Sequence, residues 1–233
     1  MTSVDAATHV PRDGLPAWIA ERLTHPLPPE AARARFAPAL SYGRHFGPPA
    51  ADAREAAVMV LLYLRDGKWH VPFTVRPETM AAHAGQISFP GGVVEAGETT
   101  RDAALRELDE ELSVDPRSVE VLGSLSPVYV FASNFLVTPW VAAAHAPLIF
   151  QPSTREVAEV IEVPLAHLLD PANFGNHTIR RGELEFTAPH FAWRDHRIWG
   201  ATCLILGELI AMLKELPREL RLTPMGPNLL TES

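Results

Sequence analysis

Runs of apolar residues separated by turn residues predict a series of strands in the middle of the chain. Residues 57–64 (AVMVLLYL) and 69–75 (WHVPFTV) are rich in side chains that favour strands. Asp66-Gly67 lies between them, and this dipeptide between two such runs is typical of a hairpin. Further strands are predicted over 119–125, 135–144 and 159–163, and a turn is predicted at 180–183.

Two stretches show the spacing of core-facing helices. Over residues 100–112, small and aliphatic side chains form one stripe, while three glutamates fall on another face. Residues 198–215 are apolar with helical spacing, which predicts a C-terminal helix. Shorter helices are expected at about 15–23 and 164–169. Because strands are interspersed with helices, we predict an α/β protein, with α+β character in a mixed sheet.

The distribution of proline suggests how the chain is organised. Residues 1–50 contain eight of the 22 prolines and are predicted to form an arm or cap rather than a domain. Residues 51–216 are predicted to form the main domain, which is long enough to bury a sizeable core. Residues 217–233, with repeated proline and polar residues, are expected to be a C-terminal tail.

Composition excludes several classes of protein. The formal charge of −8 argues against a general nucleic-acid binder, which needs a basic surface. The single cysteine, Cys203, excludes an internal disulfide and lies in an apolar run, which favours a buried packing thiol. No signal-like start or membrane-length apolar run is present, so we expect a soluble, cytoplasmic protein. The sequence leaves the oligomeric state, a homodimer included, open.

The acidic face of the helix at 100–112 is the first candidate for chemistry. Glu107 and Glu111 are four residues apart, a spacing at which like charges destabilise an isolated helix. Clustered carboxylates suit Mg²⁺ or Mn²⁺, which share their coordination with substrate phosphates. The alternative is a solvated acidic face. The preceding glycines let the backbone approach a ligand closely, which favours the metal site.

This loop and helix resemble the signature of the Nudix hydrolase family, Gly-x5-Glu-x7-Arg-Glu-U-x-Glu-Glu-x-Gly-U, where U is a bulky aliphatic residue. Every defined position matches but one. Ser113 stands where the pattern has glycine, a position expected to end the helix in a left-handed conformation. The matching residues include Gly92, Glu98, Arg106, Glu107, Leu108, Glu110 and Glu111.

The resemblance implies the Nudix fold, an α/β/α sandwich with a catalytic loop and helix. The implied reaction is the attack of a metal-activated water on a pyrophosphate bond. An ion pair between Glu98 and Arg106 is expected to lock the loop to the helix, the alternative being a surface pair of little weight. The implied ligands of Mg²⁺ or Mn²⁺ are Glu107, Glu110, Glu111 and a carbonyl near Gly92.

Residues 73–92 resemble the additional motif of the coenzyme A pyrophosphatase branch of this family. Thr74, Arg76, Gly85 and the run from Phe89 to Gly92 match, whereas Ala81 occupies the position of a second arginine. The branch implies cleavage of coenzyme A or acyl-CoA to adenosine 3',5'-bisphosphate and a 4'-phosphopantetheine product. The residues implied in substrate binding are Arg76, His83, Gly85, Gly91 and Gly92.

Several alternatives stay open from the sequence. Ala81 favours another nucleoside diphosphate substrate such as ADP-ribose, and a binding module without turnover is a further alternative. Glu156 or Glu159 is either an additional metal ligand or base, or a solvated loop acid. His83 is either a phosphate contact or an ordinary loop residue. Trp193 and Trp199 either stack on adenine or belong to the core.

Overall fold

A computed structural model of the chain describes residues 14–25, 29–39, 48–77, 85–144, 146–217 and 220. Ala81, His83 and the predicted tail beyond residue 220 therefore lie outside the described residues. The helices are α1 (Gly14–Leu23), α2 (Pro29–Arg33), α3 (Thr100–Leu112), α4 (Leu165–Leu169) and α5 (Ala201–Leu213). The strands are β1 (Arg54–Arg65), β2 (Lys68–Val75), β3 (Ile87–Ser88), β4 (Gly91–Val93), β5 (Val119–Ser124), β6 (Val128–Val130), β7 (Phe135–Ala144), β8 (Glu159–Pro164), β9 (Phe174–Arg181), β10 (Leu184–Trp193) and β11 (His196–Trp199).

The predicted hairpin joins β1 and β2. Asp66 and Gly67 both have positive φ angles, 51° and 69°, as a two-residue turn of this kind requires. The strands pair antiparallel beside the turn, with Leu64 opposite Trp69. The hairpin prediction is confirmed.

Strand β1 lies in the middle of a mixed sheet. It runs parallel to β7 along its length and antiparallel to β2 and β4. Strand β2 also pairs with β3 and β8, and β7 also pairs with β5 and β6. Strands β9, β10 and β11 form a separate antiparallel sheet. The predicted turn after Arg181 joins β9 to β10.

The two faces of β1 are both covered, so nearly the whole strand is apolar. Ala57, Met59 and Leu61 face the buried stripe of α3. Val60 and Leu62 belong to a larger cluster on the other face, with residues of α1 and α5. Helices on both faces of one sheet make the expected α/β/α sandwich, and the predicted fold class is confirmed.

The C-terminal helix is shorter than predicted. It begins at Ala201 rather than at Ile198, because Ile198 and Trp199 belong to β11 and Gly200 turns the chain with a φ angle of 69°. Cys203, on this helix, is buried, and burial raises the pKa of its thiol, as expected for a packing residue. No described helix has the length and hydropathy of a membrane span.

Residues 14–25 and 29–39 contribute directly to the core. Leu15, Ile19 and Phe36 are buried in the cluster that contains α5. A Cβ atom at Gly207 would overlap the Phe36 ring, so the small residue allows this close packing. The described residues before residue 51 therefore stabilise the main domain, while the division of the chain at that residue stays a prediction.

Candidate active site

Glycines in β4 bring the backbone against the helix that carries the acids. Gly92 pairs with Ala57 in β1, and a Cβ atom at Gly92 would overlap the Glu107 carboxylate. A Cβ atom at Gly91 would overlap the backbone of β1. Both positions therefore require glycine for the close approach rather than for flexibility.

Helix α3 has the predicted bounds and a capping residue at each end. The Thr99 hydroxyl accepts a hydrogen bond from the Asp102 N–H at 3.2 Å, which caps the first turn. Ser113 ends the helix in the left-handed conformation, with φ 55° and ψ 43°, and its N–H donates to the Asp109 carbonyl at 2.7 Å. Serine therefore keeps the left-handed helix end that the pattern expects of a glycine. The Ser113 hydroxyl also donates to the Gln151 carbonyl at 2.9 Å.

Arg106 fastens the loop to the helix. Its Nε and Nη2 atoms donate to the two carboxylate oxygens of Glu98 at 2.9 and 3.1 Å, and Nη2 donates to the Val93 carbonyl at 3.0 Å. Its Nη1 atom donates to Glu107 at 2.9 Å and to Glu110 at 3.0 Å. Hydrogen bonding to Arg106 lowers the pKa of Glu98. The expected pair between Glu98 and Arg106 is present.

Three carboxylates converge beside this arginine. Glu107, Glu111 and Glu156 each offer one oxygen, and the three oxygens lie within 4.8 Å of one another. Glu111 is only 4% exposed, and its Oε2 atom has no hydrogen-bond partner among the described residues. A buried carboxylate oxygen without a partner is costly unless something absent from the protein chain satisfies it.

The environment of these acids opposes their ionisation. Burial, followed by the charge of Glu107, raises the pKa of Glu111 to about 8, against the opposing effects of Arg76 and the Gly91 N–H. Burial also raises the pKa of Glu107, with Glu110 and Glu156 adding to the effect. A divalent cation would reverse this balance, since three carboxylate oxygens within 4.8 Å of one another are hard ligands of the kind that Mg²⁺ or Mn²⁺ takes.

The cluster differs in one member from the set predicted as metal ligands. Glu110 is 55% exposed on its side chain, is held by Arg106, and is not part of the three-carboxylate cluster. Glu156 takes that place from the loop before β8. The sequence distance between Glu156 and α3 does not predict that they are neighbours, because only the folding of this loop onto the helix brings Glu156 near the other two acids. Glu159, the other loop acid considered, instead lies 3.3 Å from His196 Nε2.

A pocket of about 400 Å³ adjoins the acids through Arg76 and Gly91. Arg76 Nε is buried without a hydrogen-bond partner in the described part of the chain. Gly85, with a φ angle of 66°, donates its N–H to the Arg76 carbonyl at 3.1 Å and so supports this position. The rest of the wall is largely apolar and includes Val58, Ile87, Phe89, Val130, Phe131, Phe186 and Trp199.

The two tryptophans considered from the sequence have different positions. Trp199 lines the pocket, next to Gly200, Ala201 and Thr202. Trp193 packs against His167 with ring centroids 4.7 Å apart and is not among the lining residues. Sequence reasoning did not identify Phe186 or Pro38, which reach the pocket from β10 and from the segment after α2.

Comparison with known proteins agrees with this geometry. The model of the NUDIX domain matches residues 53–181. The chain belongs to the Nudix family. The mouse protein "Mitochondrial coenzyme A diphosphatase NUDT8" is 35% identical over 199 residues, covering 83% of this chain and 87% of the relative.

Two further relatives support the family assignment. The mouse "Peroxisomal coenzyme A diphosphatase NUDT7" is 37% identical, covering 67% of this chain and 66% of the relative. The "Uncharacterized Nudix hydrolase NudL" of Photorhabdus laumondii is 33% identical, covering 67% of this chain and 83% of the relative. This Nudix hydrolase thus has relatives named both for coenzyme A cleavage and without a stated substrate. The pocket wall formed by Pro38, Phe186 and residues 199–202 lies outside the matched segment.

Proposed function

We propose that this Nudix hydrolase cleaves the pyrophosphate bond of coenzyme A or acyl-CoA with the help of Mg²⁺ or Mn²⁺. One observation carries the proposal. Two polar atoms without a hydrogen-bond partner among the described residues, the acceptor Glu111 Oε2 and the donor Arg76 Nε, lie where the acidic cluster meets an apolar pocket. A cation satisfies the first, and a phosphate satisfies the second. The names of the mouse relatives support the substrate class.

The residues of the cluster have distinct proposed roles. Glu107, Glu111 and Glu156 hold the ion, with the backbone near Gly92 close enough to take part. A bound ion of this kind neutralises phosphate charge and lowers the pKa of a water. Arg106 and Glu98 keep the loop and helix in register, while Arg76 binds and orients the phosphates. Glu110 stays a predicted ligand that would have to leave Arg106 to reach the ion.

The pocket is proposed to receive one organic half of the substrate. A volume of about 400 Å³ lies within the range of small-molecule sites. Phe186 and Trp199 offer aromatic faces, on which a base or a pantetheine chain packs. Because apolar walls exclude water, they also strengthen the charge interactions of the neighbouring phosphates with Arg76.

ADP-ribose is the second candidate substrate. Arg76 is the only cation among the described residues that line the pocket, whereas coenzyme A carries a 3'-phosphate in addition to its pyrophosphate. Ala81, where the coenzyme A motif has arginine, points the same way. Both observations favour a substrate with fewer phosphates, and the two substrates are therefore compared directly.

The test is the release of products from coenzyme A, acetyl-CoA, ADP-ribose and a dinucleotide polyphosphate, with and without Mg²⁺ or Mn²⁺. We expect adenosine 3',5'-bisphosphate from coenzyme A only when metal is present. Glu107→Gln should abolish the activity, whereas Glu183→Gln, in the exposed β9–β10 turn, should not. Turnover of ADP-ribose alone would overturn the coenzyme A assignment, and metal-independent turnover would overturn the mechanism.

A gain-of-function variant separates the two substrates. A charge-assisted contact to phosphate contributes roughly 1.5 to 3 kcal/mol. Ala81→Arg should therefore raise kcat/KM for coenzyme A by about tenfold or more, with little change for ADP-ribose. Ala81→Gln is the uncharged control. An equal gain on both substrates would mean a general effect of charge, and no gain on coenzyme A would contradict the motif resemblance.

The cytoplasmic location stays a prediction from the sequence.

A further inference from the structure

The end of α3 is joined to the loop that carries Glu156 by three consecutive residues. The Glu111 carbonyl accepts the Ser153 N–H at 3.0 Å, and the Leu112 carbonyl accepts the Gln151 N–H at 3.1 Å. The third contact is the hydrogen bond from the Ser113 hydroxyl to the Gln151 carbonyl at 2.9 Å. The segment 151–153 is therefore held against the helix through the backbone N–H and the backbone carbonyl of Gln151.

The loop continues from this attachment to the acidic cluster in a tight turn. The Ser153 carbonyl accepts the N–H groups of Glu156 at 3.0 Å and of Val157 at 2.8 Å. Val157 is buried, and the next residue, Ala158, donates to the Val75 carbonyl at 2.8 Å. Glu156 thus lies between two fixed points, one at the end of α3 and one on β2.

Ser113 is also the single departure of this chain from the Nudix signature. A residue other than glycine is strained in the left-handed conformation, so serine is an unfavourable choice for the helix end alone. Its hydroxyl makes a contact that glycine lacks. We propose that Ser113 is a positioning residue for the metal site, whose hydroxyl holds the Glu156 loop at the distance from Glu107 and Glu111 that a divalent ion needs.

The inference rests on the proposed metal site, and its test measures Mn²⁺ affinity directly, by calorimetry or electron paramagnetic resonance. Ser113→Gly and Ser113→Ala both remove the hydroxyl, and one hydrogen bond of ordinary strength corresponds to about threefold to tenfold weaker binding. The two variants differ in backbone strain. Ser113→Ala should melt about 2 to 4 °C below Ser113→Gly.

The two Ser113 variants are therefore expected to be alike in Mn²⁺ affinity and to differ in thermal stability. If Ser113 acts through its hydroxyl, the two variants lose Mn²⁺ affinity equally although their Tm values differ. If Ser113 only terminates the helix, Ser113→Gly binds Mn²⁺ as well as the natural protein does, and the inference is overturned.

A double-mutant cycle with Glu156→Gln tests whether Ser113 acts on the metal site through Glu156. Once Glu156 no longer offers a charged ligand, either substitution at Ser113 should change Mn²⁺ affinity by less than about twofold. The same loss in both backgrounds would overturn the inference.

Hydrogen exchange in the metal-free protein gives a second readout. The amides of Gln151 and Ser153 should exchange faster in both Ser113 variants, and unchanged exchange would also overturn it.

Glu111→Gln separates this inference from the proposed function. Loss of Mn²⁺ binding in that variant, with unchanged binding in both Ser113 variants, overturns the role of Ser113 alone. Mn²⁺ binding that survives Glu111→Gln overturns the proposed metal site itself.

Discussion

Two glutamates, Glu208 and Glu111, are buried in this Nudix hydrolase in opposite ways. Glu208, 0% exposed on α5, forms an ion pair with Arg33 and accepts the Ser126 N–H at 3.0 Å. Arg33 also donates to the Pro127 carbonyl at 2.8 Å. Glu111, 4% exposed on α3, has one oxygen, Oε2, with neither a hydrogen bond nor an ion pair to any described residue, and further carboxylates lie beside it.

The difference separates a buried charge that is paired within the fold from the buried charge that we propose binds a cation. Burying a carboxylate costs several kcal/mol unless a partner compensates. At Glu208 the compensation comes from within the chain, through a contact between the N-terminal segment and α5. At Glu111 the fold leaves the compensation incomplete, which is what a binding site for a cation requires.

The largest expected effect comes from breaking the compensated pair. Arg33→Met should lower the free energy of unfolding by about 3 to 5 kcal/mol, because Glu208 is left buried without its cation. The measurement is urea denaturation with metal absent. Arg33→Met combined with Glu208→Gln keeps an acceptor for Ser126 and should recover most of the loss. Equal instability of the single and double variants would mean that lost packing, not charge, is responsible.

The second prediction removes the charge that is not compensated. Glu111→Gln should lower kcat by at least about 100-fold, which corresponds to about 2.7 kcal/mol, while the protein remains folded. Steady-state kinetics at saturating Mg²⁺ and circular dichroism of the same sample check it. Near-normal turnover would remove Glu111 from the metal site.

The third prediction concerns pH and the metal-free protein. Because the pKa of Glu111 is raised from 4.5 to about 8 in the folded state, its protonated form favours folding below pH 4.5. That contribution is lost as the pH rises toward 8. Glu111→Gln should therefore be more stable than the natural protein at pH 8, by of order 1 to 3 kcal/mol, with a smaller difference at pH 5.

Thermal or urea unfolding of both proteins across this pH range measures the effect. Glu183→Gln, at an exposed turn, serves as the control and should follow the natural protein. A constant difference between Glu111→Gln and the natural protein at all pH values would show that ionisation of Glu111 is not its cause.

The smallest expected effect lies at Glu110, the exposed acid on the same helix. Its contact with Arg106 is an exposed ion pair, which typically contributes less than about 1 kcal/mol. Because Glu110 also lies outside the cluster of Glu107, Glu111 and Glu156, Glu110→Gln should change Mn²⁺ affinity by less than about threefold, measured beside Glu111→Gln. A loss as large as that of Glu111→Gln would show that Glu110 is a ligand, as the motif predicts.

Much of the local structure followed from short-range patterns. The Asp66-Gly67 turn and the bounds of α3 were predicted, because each depends on residues within a few positions, whereas the effect of Ser113 on the helix end was left open. The pairing of Glu98 with Arg106 was also predicted, since motif spacing on one loop and helix sets it. Ile198 and Trp199 were assigned wrongly to a helix, because a short apolar run has no period that separates strand from helix.

The sequence by itself determined the family, the layered α/β fold and the helix that carries Glu107 and Glu111, because local spacing sets which side chains share a face. Only the tertiary structure decided that Glu156 joins them, that Arg33 compensates Glu208, and that Trp199 lines a pocket beside Arg76. These contacts join segments far apart in the chain. They depend on how strands pair and loops dock, which no local pattern of residues records.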